Sequence, residues 1–126
     1  MRMNPLNWKA NKRMEALGVD EEAAEEEFKR EKKAGYVCLG YVTFTENWLY
    51  FESNWTAALF PLKEIEAFQK SCASMGRGAD FYVRLFFKDG GNYRLHCAFT
   101  ELDDIAAALI QRCPQVKAKR AESTFL

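Results

Sequence analysis

Phe81-Tyr82-Val83-Arg84-Leu85-Phe86-Phe87-Lys88-Asp89-Gly90-Gly91-Asn92-Tyr93-Arg94-Leu95-His96 is the stretch that decides the fold. Side chains alternate across a strand. Phe81, Val83, Leu85 and Phe87 therefore share one face, and Tyr82, Arg84 and Phe86 share the other. After the turn, Tyr93, Leu95, Cys97 and Phe99 fall on one side, and Asn92, Arg94 and His96 on the other. Asp89-Gly90 between two alternating runs supplies the positive φ angles that a tight turn demands. The stretch predicts an antiparallel hairpin with strands over 80–87 and 92–99.

Working outward, Thr100 is placed to cap a helix, with Asp103 three residues on as a variant of the capping box. Leu102, Ile105, Ala106, Leu109 and Ile110 recur at i, i+3, i+4, i+7 and i+8, and Pro114 stops the pattern. Such an apolar face must cover a sheet. Upstream, composition predicts strands over 36–44, 48–52, 55–60 and 65–72. Thr45-Glu46-Asn47 and Ser53-Asn54 read as turns, and Pro61 as a break, a bulge or an edge. Lys63-Glu64-Ile65-Glu66 also fits a helical turn, and residues 73–79 read as a mobile connection. Two helices precede the strands. The first spans about 5–17, with Leu6, Ala10, Met14 and Leu17 on one stripe and Gly18 after its end. The second spans about 20–33, capped by Asp20, acidic first (Glu21, Glu22, Glu25, Glu26, Glu27) and basic last (Lys29, Arg30, Lys32, Lys33), as the helix dipole favours. Phe28 is its one large apolar anchor.

Antiparallel strands in sequence, followed by one amphipathic helix, describe a small barrel or bent sheet with a helical plug. Trp48-Leu49-Tyr50-Phe51, Phe60-Pro61-Leu62-Lys63-Glu64-Ile65, the 81–87 strand with its Lys88-Asp89-Gly90 turn, and the 102–113 helix ending at Pro114 carry a resemblance. The chain resembles the pleckstrin-homology-like (PH-like) fold over about residues 20–126, and within it small bacterial proteins of that type. The resemblance implies an α+β class: a PH-like antiparallel barrel or bent sheet of about six to seven strands with a C-terminal capping helix, preceded by N-terminal helices. It divides the chain into a helical segment (1–35), a PH-like domain (36–116) and a short basic tail (117–126). That group has no established reaction. PH domains that bind phosphoinositides place several Lys and Arg around the first hairpin loop, because several phosphates need several cations. Thr45-Glu46-Asn47 and its flanking strands hold none, which argues against phosphoinositide binding. Protein and peptide docking, another use of PH-like folds, survives that objection.

The chain has 126 residues, enough for one domain with a core that needs no disulfide or metal. Eighteen basic and eighteen acidic side chains cancel, which argues against a global grip on nucleic acid or anionic lipid. Residues 112–126 hold four bases and one acid, with Lys117, Lys119 and Arg120 as a short cluster. A nucleic-acid arm normally carries a longer block, so the expectation is a solvated tail. The opening Met1-Arg2-Met3-Asn4-Pro5 has no apolar run behind it, and no stretch reaches the length of a membrane span. Cys38, Cys72, Cys97 and Cys113 show no Cys-x-x-Cys pair, so they read as reduced, mostly buried thiols of a cytoplasmic protein.

The residues that carry chemistry elsewhere are sparse here. His96 is the only histidine. Its neighbour Cys97 points to the other face of the strand, so no dyad is specified, and an exposed strand histidine is the simpler reading. Glu101, Asp103 and Asp104 complement a helix N-terminus rather than specify a metal site. Gly76-Arg77-Gly78 lacks the Gly-Lys-Ser/Thr ending of a phosphate loop. No catalytic residue, cofactor or metal is assigned.

The aromatic content is the feature that asks for a function. Both faces of the 80–87 strand are apolar, yet one face of an antiparallel sheet is usually wet and polar. Either the N-terminal helices, through Leu6, Trp8, Met14 and Phe28, cover the second face, or it docks a partner. Tyr82, Arg84 and Phe86 combine aromatics with arginine, a mixture enriched at binding hot spots. They are the candidate partner-binding residues of a non-catalytic interaction module. The partner is another protein, by face or by strand addition at a sheet edge, or a second copy of the chain. The alternative is a small-ligand or lipid-binding barrel with a cavity lined by Trp48, Tyr50 and Leu95.

Overall fold

The computed structural model describes residues 7–53, 55–74 and 78–123. They form two compact units, Met1–Glu64 and Ile65–Leu126. The first contains helices α1 (Trp8–Ala16) and α2 (Glu21–Ala34), then strands β1 (Val37–Leu39), β2 (Val42–Phe44), β3 (Trp48–Glu52) and β4 (Ala57–Pro61). The four strands form an antiparallel sheet in the order β1-β2-β3-β4.

Local sequence explains each boundary. Helix α1 ends where Gly18 takes φ +71, with Gly18 N–H bonded to Glu15 O at 3.0 Å and Val19 N–H to Met14 O at 2.9 Å. That pair of bonds is the Schellman closure, which glycine enters without a Cβ penalty. The Asp20 carboxylate accepts from Ala23 N–H at 3.3 Å and opens α2. The stretch 36–44, expected as one strand, is two. Gly40 at φ +63 turns the chain within two residues, so that Leu39 pairs with Val42.

Both helices fix the sheet of their own unit. Phe28 of α2 meets Tyr50 with ring centroids 5.1 Å apart. Met14 Sδ accepts from Leu59 N–H at 3.4 Å. The Asn7 side chain donates to Ala57 O at 3.0 Å and accepts from Ala57 N–H at 2.9 Å. It thus imitates a neighbouring strand on the outer edge of β4, and a covered edge cannot recruit another chain. Asn7→Ala is expected to destabilise the protein by about 2 kcal/mol, because two backbone groups lose their partner. A shift of the urea midpoint worth under about 0.5 kcal/mol would show that water replaces the amide.

The second unit runs β5 (Ile65–Ser74), β6 (Ala79–Phe87), β7 (Asn92–His96), α3 (Leu102–Arg112) and β8 (Lys117–Ser123). The sheet order is β7-β6-β5-β8, with β8 parallel to β5 and the other pairs antiparallel. A parallel neighbour needs a crossover, and α3 supplies it. The hairpin between β6 and β7 forms, but its loop is one residue shorter than the expected 88–91 turn, and β7 ends at His96 rather than 99. Gly90 N–H bonds Phe87 O at 3.0 Å, Phe87 N–H bonds Gly91 O at 2.9 Å, and Gly90 takes φ +91. This is a three-residue loop with a bulge glycine.

Helix α3 lies on one face of this sheet. Lys70 Nζ meets Asp103 Oδ1 at 2.8 Å, which puts Lys70 and its row-mates Val83 and Leu95 on the helix side. Leu102, Ile105, Ala106 and Leu109 are buried. Ile110, expected on the same stripe, is 58% exposed. Eight steps of about 100° leave it about 80° round from Leu102, at the stripe's margin. The N-terminal cap also differs from expectation. The carboxylate of Glu101, not Thr100, accepts from a backbone N–H, that of Ala98, at 2.8 Å.

The expected PH-like barrel or bent sheet of six to seven strands is therefore corrected. Among the described residues eight strands form two four-stranded sheets, one antiparallel and one mixed, and no closed barrel. Two features add strands: the glycine turn that splits 36–44, and the stretch 117–123, which is β8 rather than a solvated tail. The class remains α+β.

Candidate functional site

Strand alternation sets the face of the second sheet opposite α3. Strand β6 contributes Tyr82, Arg84 and Phe86. Opposite them, β7 sets His96, Arg94 and Asn92, and β5 sets Ser71, Gln69 and Ala67. Beyond β5, β8 sets Lys119 against Gln69 and Lys117 against Ala67.

The three residues singled out in the sequence are neighbours here, and they play different parts. Tyr82 is only 4% exposed, so it is a floor rather than an anchor. The guanidinium carbons of Arg94 and Arg84 lie 4.8 and 5.6 Å from its ring centroid, and the His96 ring lies 5.8 Å away. Arg84 is half-buried and held in place: Nη1 donates to Asn92 Oδ1 and Nη2 to the Tyr82 hydroxyl, each at 3.3 Å. Phe86 is half-buried, with Lys119 Nζ 4.0 Å from its ring centroid. A cleft of about 480 Å³ beside it is lined by Phe86, Ala67, Glu66, Gly90, Lys117 and Lys119.

The charges on this face are unbalanced. Arg84 pairs directly with Arg94 across the strands, and like charges set opposite each other destabilise a sheet. Among the described residues neither guanidinium bonds a carboxylate. Asp80, on the same strand as Arg84, is bonded to His96 Nδ1 at 3.0 Å. Ser71 Oγ and Arg84 Nε are buried with no hydrogen-bond partner among the described residues.

Arg94, Lys117 and Lys119 are not among the candidate partner-binding residues that the sequence offers, although Lys117 and Lys119 belong to its short basic cluster. Arg94 carried a usable signal, since it shares the face of His96 by alternation. The two lysines stand out only as a basic cluster, and nothing marks them as part of a strand, because lysines, alanines and an arginine have the composition of a tail.

The remaining candidates have structural partners. His96 is exposed, as expected, and faces Asp80 and Tyr82. The Cys97 thiol is pushed up to about 11 by burial, then by Glu101 and Asp80, and burial likewise raises Cys113 to about 11. Both are poor sources of thiolate. None of the four cysteines forms a disulfide; Cys113 is buried and Cys38 exposed. Asp103 is committed to Lys70, and Glu101 to its cap. Gly76 and Arg77 lie outside the described residues. Among the described residues no group of three or more His, Cys, Asp or Glu side chains could hold a metal ion. No helix among them is long and apolar enough to cross a membrane. Trp48, Tyr50 and Leu95 are the residues expected to line a cavity. Tyr50 packs on Phe28, Leu95 lies buried on the α3 side of its sheet, and Trp48 lines a cleft of about 520 Å³ with Leu17, Asp20, Glu27, Lys63 and Glu64.

Comparison with protein-family models, with curated proteins and with solved structures returned no match.

Proposed function

We propose that this chain is a non-catalytic module that docks another protein, and that the partner sits on the sheet face around Arg84, Arg94 and Phe86. The observation that carries the reading is the cation-covered aromatic layer. Arg84 and Arg94 lie over Tyr82, and Lys119 lies over Phe86. Aromatic and arginine side chains give large contact area and directed hydrogen bonds, and they dominate binding energy at interfaces. Helix α3 covers only the opposite face. The raised Cys97 thiol and the engagement of His96 with Asp80 favour binding over nucleophilic chemistry. A cytoplasmic setting suits four cysteines that form no disulfide, one of them exposed.

The test is quantitative affinity capture from the native lysate. Tyr82 is buried, so replacing it would disturb the sheet itself. The informative control is a Phe86→Ser, Arg94→Ala variant whose circular dichroism matches the wild type. A partner held by the wild type and lost by this variant is the expected result. A folded variant that keeps every partner would remove the face from consideration. The 520 Å³ cleft beside Trp48 favours a second reading, a small-ligand site. A thermal upshift by a metabolite that Trp48→Phe abolishes would support it.

A further inference from the structure

We propose that the partner on this face is an acidic polypeptide segment. Its carboxylates would be held by Arg94, Lys117 and Lys119, and an apolar side chain would enter the cleft beside Phe86. The inference rests on the docking reading above and adds the partner's chemistry. The four cationic positions of this face, Arg84, Arg94, Lys117 and Lys119, outnumber its three acidic ones, Asp80, Glu66 and Glu122, and Asp80 is already bonded to His96. The facing arginines raise the energy of the free face, so an incoming anion gains by relieving their repulsion. From β7 to β8 the face spans three strand spacings of about 4.8 Å, roughly 14 Å. An extended peptide at about 3.3 Å per residue crosses it with four to five residues.

The same geometry disfavours other occupants. Single-stranded nucleic acid gains its affinity by stacking bases on free ring faces. Here Tyr82 is buried, and cations already sit over both Tyr82 and Phe86. Strand addition at β8 is opposed by Lys117, Lys119 and Arg120, since charged edges resist pairing.

The probe is a fluorescein-labelled ten-residue glutamate peptide with one central leucine, titrated against the full chain by fluorescence anisotropy. Saturable binding that weakens about tenfold or more in an Arg94→Glu, Lys117→Glu variant is expected. A Lys9→Glu, Lys12→Glu variant changes charge equally on α1 and should stay within about twofold. Single Lys117→Gln should give a smaller loss in the same direction, which guards against misfolding of the double variant. Equal weakening by both double variants would reduce the effect to bulk charge and overturn the proposal. So would tighter binding of a ten-residue uridylate, which would indicate nucleic acid. Self-association without peptide, abolished by Arg94→Glu, Lys117→Glu, would name a second copy as occupant instead. If lysate capture depends on Phe86 and Arg94 while the peptide does not bind, docking stands and the acidic chemistry falls. If neither is seen, both fall.

Discussion

Leu109→Ala is expected to destabilise the second unit by about 3 kcal/mol, while Ile110→Ala, one residue on, shifts stability by under about 0.5 kcal/mol. Leu109 is completely buried and Ile110 is 58% exposed. Both are large aliphatic residues on the same helix, so propensity and composition do not separate them. What differs is the helical angle. Leu109 falls on the row with Leu102, Ile105 and Ala106 that faces the sheet. Truncating it removes transfer free energy and leaves a cavity that the β5–β6 floor cannot fill without moving. Ile110 is already in water, so its truncation leaves no cavity. Urea denaturation of the two variants checks the pair. Similar losses at both positions would mean that α3 is rotated about its axis from the arrangement described.

Helix α3 also marks the limit of what periodicity fixes. The 3.6-residue period located α3 and its buried face, but a count of i+8 admits a residue at the margin of the stripe. Only the sheet decides which margin is covered. The β6–β7 hairpin was legible because alternation and Asp89-Gly90 agree with each other. Its register was not, because Gly90 serves as a bulge and shifts the pairing by one residue. That shift sets Arg84 against Arg94. The barrel expectation failed at two places with distinct causes. Gly40 lies inside the stretch whose composition predicts one strand, although a single glycine is enough to reverse a chain. Strand β8 lacks β-branched and aromatic residues, since it pairs through backbone along β5 and keeps lysines outward. A long-range parallel pairing across a helix leaves no local signature. The candidate face follows the same pattern. Tyr82, Arg84 and Phe86 were visible on one strand, whereas the cations that give the face its character come from β7 and β8.

Glu31→Ala is expected to destabilise the first unit by about 2 kcal/mol at neutral pH, with the loss shrinking in acid. From the C-terminal half of α2, the Glu31 carboxylate gathers three donors on the turn between β2 and β3. Oε1 accepts from Thr45 Oγ1 at 2.7 Å and from Asn47 N–H at 2.9 Å, and Oε2 accepts from Asn47 Nδ2 at 2.7 Å. Asn47 in turn accepts from Leu62 N–H through its carbonyl at 2.9 Å, so the turn links the helix to the end of β4. Burial alone would raise the pKa of this carboxyl, but the hydrogen bonds from Thr45 and Asn47 outweigh it and hold the value below 4.5. A carboxyl lowered on folding contributes stability above its unfolded pKa and loses it as pH falls through the folded one. The wild type should therefore lose its advantage over the alanine variant as pH drops below 4.5. Glu31→Gln keeps one acceptor but turns an amide N–H toward donors, so it should recover part of the stability and none of the pH dependence. Chemical denaturation of the three proteins across the acid range distinguishes these outcomes. A wild-type advantage that stays constant down to full protonation would show that Glu31 acts through packing of its methylenes, not through its charge.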